Sequence, residues 1–240
     1  MKAFIKKILD QLGYSIQKKV HSDPFFFLKT LLKGVNNPVI FDVGAHHGET
    51  SLIFIKYFPT AKIYAFEPNR AAFDNLKENV KPYKNIKIFE TALGNQTGKV
   101  KFHFNSYSPT NSILSALDSA SEIWADGLFD TKKIEEVPII TLDDFMTQQK
   151  ISHIHLLKMD TQGTEHLTLE GAKNNLKNIP LIYTELSILP SYDGQLAFED
   201  MLKLMREKNF SLFNFYNYSK KPAGQLRQVD AIFVNNLFKL

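Results

Sequence analysis

Short apolar runs and amphipathic stretches alternate along most of the chain. From Pro38 the pattern begins with Val39-Ile40-Phe41-Asp42-Val43, a mostly apolar run closed by glycine, as expected of a strand buried on both faces. A helix is predicted from about Glu49 to Tyr57, stopped by Pro59, then a strand at Ile63-Tyr64-Ala65-Phe66. Arg70–Val80 carries Ala72, Phe73, Leu76 and Val80 on one helical face, and Ile86–Phe89 is the third strand. This alternation predicts a parallel α/β sheet with right-handed crossovers.

The middle of the chain breaks the rhythm. Lys99–Phe104 alternates and is expected to be a hairpin strand, with Asn95–Gly98 as its turn. Residues 105–133 are rich in Ser, Asp and Asn and hold the only tryptophan, Trp124; the inserted hairpin and a lid are expected over about 95–135. Regularity returns with the strand Val137–Ile140, a helix capped by Thr141, the strand Ile154–Met159 and a helix over Glu165–Leu176. The strand Leu181–Leu186 and a helix over Leu196–Lys208 follow. Phe210–Tyr216 and Val229–Val234 are expected to close the sheet as an antiparallel pair. The fold class is therefore α/β, a mostly parallel central sheet with an antiparallel C-terminal strand and helices on both faces. The domain spans residues 38–240.

Residues 1–37 read as a helical arm. Phe4, Ile5, Ile8, Leu9 and Leu12 recur at helical spacing among Lys2, Lys6 and Lys7. A second helical piece, Pro24–Lys33, is expected to face its Phe25, Phe26, Phe27, Leu28, Leu31 and Leu32 to the core. Residues 1–33 hold seven lysines against Asp10 and Asp23, whereas the whole chain sums to +4. The basic excess thus sits on the arm and the body is near neutral, which argues against a nucleic-acid partner. Two readings of the arm stand. It lies on an anionic membrane surface, or it packs its apolar stripe on the domain or on a homodimer partner. Composition adds two exclusions: no cysteine means no disulfide, thiolate metal site or cysteine nucleophile, and no apolar run reaches membrane-spanning length. A cytoplasmic protein, peripheral to the membrane at most, is the expectation.

In an open parallel sheet, ligands sit beyond the carboxyl ends of the strands. The first such end reads Asp42-Val43-Gly44-Ala45-His46-His47-Gly48-Glu49-Thr50. Gly44 allows a tight turn, and Gly48 lets the backbone approach a ligand at a helix start. The spacing G-x-x-x-G is neither the dinucleotide fingerprint nor a P-loop. Asp42 is expected to meet an ammonium group. Glu67, at the end of the second strand, is placed to accept hydrogen bonds from ribose hydroxyls. S-adenosylmethionine carries both groups. A dinucleotide-dependent oxidoreductase is the alternative, disfavoured by the glycine spacing; a non-catalytic module binding a membrane or partner through the arm is another.

An ordered set of motifs carries a resemblance. Phe41-Asp42-Val43-Gly44-Ala45-His46-His47-Gly48, Ala65-Phe66-Glu67-Pro68-Asn69, Ala92-Leu93-Gly94, Thr141-Leu142-Asp143-Asp144-Phe145, Leu157-Lys158-Met159-Asp160-Thr161-Gln162-Gly163-Thr164-Glu165 and the closing Asp230-Ala231-Ile232-Phe233-Val234 resemble those of FkbM-type methyltransferases. The resemblance implies a Rossmann-like class I fold, S-adenosylmethionine as cofactor and O-methylation of sugar or polyketide-type hydroxyls. It implies that Asp42, Gly44, Ala45 and Gly48 line the methionine end, with His46 beside them. It also implies that Glu67 holds the ribose while Pro68 and Ala92 flank the adenine. His46-His47 stands where Asn and a small or apolar residue are commoner, and Gln162 where Glu is frequent.

The acceptor hydroxyl needs a base, sought at the later strand ends. Asp160 is expected as base or acceptor-orienting group, with helix capping or loop bracing as its bland alternative, and Glu185 is the second candidate. Asp160 and Glu185, with Asp193 as a third acid, could instead hold Mg²⁺; no zinc signature appears among the seven histidines. His153 and His155 read as structural, while His46 or His47 could serve as base. Tyr107-Ser108-Pro109-Thr110-Asn111-Ser112 is the expected contact for a small-molecule or glycan acceptor.

Overall fold

The computed structural model describes residues 23–238. The chain forms α1 (Pro24–Leu31), β1 (Val39–Val43), α2 (Glu49–Tyr57), β2 (Lys62–Phe66), α3 (Arg70–Val80), β3 (Ile86–Phe89), β4 (Ala92–Gly94) and β5 (Gly98–Asn105). Then come α4 (Ala120–Ile123), β6 (Thr131–Thr141), α5 (Leu142–Gln148), β7 (Leu156–Met159), α6 (Glu165–Glu170), β8 (Leu181–Ser187), α7 (Phe198–Glu207), β9 (Phe210–Lys220) and β10 (Leu226–Asn235).

Seven strands form one sheet in the order β3-β2-β1-β7-β8-β10-β9. The first five run parallel, and β10 inserts antiparallel between β8 and β9. The apolar runs explain this layout. β1 is buried at every position and β8 at all but one, so both need cover on two faces. One face buries Phe41, Phe66, Leu142, Phe145, Leu169 and Met205, supplied with α5, α6 and α7. The other buries Leu28, Ile40, Phe54, Ile63 and Leu76 with α1, α2 and α3. Order reverses between β1 and β7, which opens a crevice at their carboxyl ends.

The expected second helical piece is present as α1, with Leu28 and Leu32 buried in the core. Phe26 departs from expectation: it is 40% exposed, because α1 lies on the sheet with Phe25 against Phe54 and Tyr183 and turns Phe26 outward. The reading of Phe4–Leu12 as an amphipathic helix falls outside the described residues. The expected hairpin is also rearranged. β5 and β4 do not pair with each other; both flank β6, β4 parallel and β5 antiparallel to it, in a second, three-stranded sheet. β6 is longer than the expected Val137–Ile140 because its exposed first half, Thr131–Glu136, is held by β5 rather than by the core. The predicted helix from Glu165 ends at Glu170, where the chain turns before a short 3₁₀ segment at Leu176–Asn178.

Candidate active site

A cavity of about 240 Å³ opens at the carboxyl ends of β1, β2 and β7. Its walls are built from three places: the β1–α2 loop, the turn after β2, and the turn after β7. The insertion closes it with Phe102, Ser108, Pro109, Asn111 and Ile113.

Gly44 is the pivot of the first loop. Its φ is +73°, and a Cβ there would stand 1.9 Å from the backbone oxygen of Asp160. The loop and the β7 turn therefore touch backbone to backbone, which only glycine permits. The amides of Gly44 and Ala45 both donate to Phe66 O, tying the loop to β2. Gly44→Ala is expected to cost about 3 kcal/mol or more, lowering the melting temperature by roughly 6–12 °C. Denaturant unfolding checks this, and an unchanged midpoint would mean that the two turns are free to separate.

Glu67 lines the cavity and is 6% exposed. Its Oε1 accepts from Asn69 N and its Oε2 from His46 N, each at 2.8 Å. A carboxylate has about four acceptor positions, so each oxygen keeps one for a ligand. Burial pushes the carboxyl up to about 7, against those two amide hydrogen bonds, which pull it down. In the unfolded chain it titrates near 4.3. The folded protein therefore holds an extra proton between those values, and this group's contribution to stability declines as pH rises through about 7. The span corresponds to at most about 4 kcal/mol. Glu67→Gln is expected to flatten that slope, as measured by unfolding at pH 5 and pH 8. An unaltered slope would place the titration elsewhere.

Asp42 does not line the cavity, which corrects its expected role toward an ammonium group. It is fully buried; Oδ2 accepts from Ser51 Oγ at 2.6 Å, and Oδ1 pairs with Lys158 Nζ at 2.9 Å. Asp42 and Lys158 face each other in the β1–β7 register. Lys158 Nζ also donates to Gly44 O at 2.8 Å. Burial alone would push the ammonium down, and Asp42, Asp160 and Asp230 together hold it above its ordinary value. The pair is thus a brace under the Gly44 turn, and Lys158 reaches the cavity wall. Gly48 is corrected likewise. It is absent from the wall, and a Cβ there would meet Leu76 Cδ1 at 2.7 Å, so its glycine serves packing on α3 in a left-handed turn (φ +92°).

Gly44, Ala45, His46, Glu67, Pro68 and Ala92 do share the cavity, as does Asp160. Asp160 Oδ1 accepts from Gln162 Nε2 at 2.9 Å; Oδ2 accepts from no other side chain or amide among the described residues. Gln162, at φ +55°, joins several parts of the molecule. Its Oε1 accepts from Tyr192 Oη at 3.0 Å, and its carbonyl accepts from Ser112 Oγ at 2.7 Å. The insertion and the loop after β8 are thereby keyed to the cavity floor.

Glu185 lies elsewhere. It lines a small separate hollow with Glu165, His166, Ser187 and Gln195. Burial, then Asp160, Asp230 and Glu165, push its carboxyl well above the usual range. Glu185 stands one residue beyond the Met159–Thr184 pair of β7 and β8, level with Asp160, and faces Asp230 on β10. Asp193 is exposed. Asp160, Glu185 and Asp193 therefore present no converging set of oxygens for Mg²⁺. Among the described residues only His46, His47 and Glu49 bring three ligand atoms together. The two imidazoles stack with ring centres 3.7 Å apart, and their Nδ1 atoms lie 3.9 and 3.6 Å from Glu49 Oε1.

His46 Nε2 lies 3.1 Å from Ser108 Oγ, linking the first loop to the insertion. Burial, then the neighbouring His47, lowers its pKa below the ordinary histidine value. From the expected acceptor segment, Ser108, Pro109 and Asn111 reach the wall, whereas Tyr107 is half exposed and Thr110 and Ser112 turn inward as supports. His155 is structural: its Nδ1 accepts from Val39 N at the start of β1. Lys158, Thr91, Phe102 and Ile113 also reach the wall and were not singled out from sequence. For Lys158 a signal existed, a lone lysine inside the apolar run Leu156–Met159.

The order β3-β2-β1-β7-β8-β10-β9, with β10 alone antiparallel, and a glycine turn and a carboxylate at its crevice are those of a Rossmann-like class I methyltransferase fold. One solved structure, an rRNA methylase from Streptococcus thermophilus, aligns with a TM-score of 0.52 at 11% identity over 92% of this chain and 98% of that one. The Methyltransferase FkbM domain matches residues 42–212, and the chain belongs to that family. Among curated relatives, the 2-O-methyltransferase NoeI of Sinorhizobium fredii is 30% identical over 70% of this chain and 71% of its own length. The 31-O-demethyl-FK506 methyltransferase FkbM of Streptomyces tacrolimicus is 24% identical over 72% and 73%.

Proposed function

We propose that the protein is an S-adenosylmethionine-dependent O-methyltransferase that methylates a hydroxyl of a sugar, glycan or related natural product. The observation that carries this reading is one cavity with the Glu67 carboxylate on one wall and the Asp160 carboxylate on another, joined by a turn too tight for any side chain at residue 44. The names of the two relatives, both O-methyltransferases, support the reaction class. The polar insertion residues Ser108 and Asn111 suit a polyol acceptor.

Bound S-adenosylmethionine would supply a methyl group activated by a positively charged sulfur. The residues present fit such a ligand. Glu67 keeps acceptor positions for two ribose hydroxyls, Pro68 and Ala92 offer apolar surface to the adenine, and the Gly44–His46 backbone borders the methionine end. Asp160 acts on the acceptor: Gln162 fixes Oδ1, which leaves Oδ2 to take the hydroxyl proton or to orient the hydroxyl. The insertion excludes water and holds the acceptor's other hydroxyls. Much of the rate comes from this positioning, because the transfer is an in-line displacement.

Thermal-shift comparison tests the cofactor. Stabilisation by S-adenosylhomocysteine and not by NAD is expected, and the reverse would overturn the reading in favour of an oxidoreductase. Isotope-labelled methyl donor with a panel of sugar acceptors then tests the substrate class. Glu67→Ala is expected to weaken S-adenosylhomocysteine binding by about 1.5–3 kcal/mol in calorimetry. Unchanged affinity would remove the ribose contact.

A further inference from the structure

The end of the molecule opposite the cavity carries an exposed apolar corner. β10 finishes beside the start of β8, at the amino ends of the parallel strands, where Val234 pairs with Leu181 and Asn235 with Phe210. There Leu212 and Phe213 of β9 are 39% and 42% exposed, and Leu237 and Phe238 just past β10 are 65% and 37% exposed. The turn after β10 is fastened to this place, since Asn236 N donates to Asn209 O and Ser211 Oγ donates to Asn236 Oδ1. The corner continues onto α1. Phe213 lies 5.8 Å from Phe27, ring centre to ring centre, and Phe27 lies 5.6 Å from Phe26. Five of the large apolar side chains that remain exposed therefore share one region. Scattered single exposures are ordinary, but a group of this kind marks a contact surface.

The charge around it decides the partner. Phe26, Lys29 and Thr30 share the outward face of α1 by helical spacing, Lys33 follows in the turn after it, and all are exposed. Lys177 and Lys208 flank the other side, beside Asn235 and Asn209; Glu207 is the adjoining exposed acid. The sequence leading into α1 adds Lys2, Lys6, Lys7, Lys18 and Lys19, so residues 1–33 carry seven lysines against Asp10 and Asp23. Aromatic side chains set among lysines match an anionic lipid surface. A second copy fits less well, because it would bring the same basic rim against itself. The open edge of β9 also shifts register three times against β10, and such bulges discourage edge-to-edge pairing.

We infer that the α1–β9 corner seats the protein on an anionic membrane surface, with the cavity mouth at the opposite end left free for ligands. Each lysine near such a surface is worth about 1 kcal/mol, roughly a fivefold change in partition.

The test is co-sedimentation of the full-length chain with phosphatidylcholine vesicles and with vesicles containing phosphatidylglycerol. Pelleting is expected only with the anionic vesicles, and it should fall in high salt. Lys29→Glu/Lys33→Glu is expected to reduce it at least tenfold, and Phe26→Ser/Phe213→Ser several-fold, with melting temperatures measured for both variants. Should the phenylalanine variant lose its fold, the lysine variant, wholly on exposed positions, still decides. Wild-type-like pelleting of the folded variants would overturn the proposal, as would no pelleting at all. A wild-type dimer in light scattering that Phe213→Ser dissociates would assign the corner to a second copy instead.

Discussion

Lys158→Met is expected to destabilise the protein by about 3–5 kcal/mol. The substitution keeps the volume and the apolar stem but leaves the Asp42 carboxylate, fully buried, with only Ser51 Oγ as partner. It also removes the donor that reaches Gly44 O and so loosens the turn at the cavity floor. A buried pair is itself weak evidence of net stabilisation, since desolvating both charges offsets much of their attraction. The sharper expectation is therefore in the double substitution. Asp42→Asn/Lys158→Met should recover a substantial part of the loss, because the uncompensated charge is gone. Urea unfolding of the single and double variants gives the comparison. A loss below about 1 kcal/mol in Lys158→Met would mean that the pair contributes little to the folded state.

Asp160→Asn is expected to reduce turnover by about 10²–10⁴, with a much smaller effect on S-adenosylhomocysteine affinity. Asparagine keeps the size and can still meet Gln162, but it cannot accept a proton. The distinction matters because Asp160 also borders the Gly44 loop, and Asp42 is paired with Lys158 beneath it. A residue holding an ammonium group or bracing the loop would lose binding and turnover together when neutralised. A residue acting on the acceptor loses turnover alone. Calorimetry with the homocysteine product and single-turnover transfer of labelled methyl separate these outcomes. Equal losses in both would remove Asp160 from proton transfer.

The two predictions concern residues that were unequally legible. Asp160 could be proposed because it closes an apolar run in a parallel strand, and strand ends are where such sheets place ligands. Lys158 stands one strand turn earlier and was passed over, although a lysine inside Leu156–Met159 demands a buried partner. Its partner, Asp42, was misassigned for the complementary reason. A carboxylate at the end of β1 looks like a ligand group until a cation from β7 is known to face it. Glu185 shows the limit again: its run identifies a strand, but that its side chain lines a neighbouring hollow although it stands level with Asp160 comes only from the fold. Glu67 lines the cavity, and its two amide partners, one from the Gly44 loop and one from its own turn, come only from the fold.

Sequence alone determined the alternation of buried strands and amphipathic helices, the glycine turn, the carboxylate after β2 and the family, because these rest on local periodicity and on residues a few positions apart. Tertiary structure alone decided which acid faces the cavity and which is neutralised beneath it, that β6 lies between β4 and β5, and that Glu185 looks into a different hollow. Those outcomes depend on pairings between strands far apart in the chain. A shift of one residue in such a pairing exchanges the two faces of a strand, and no local pattern records it.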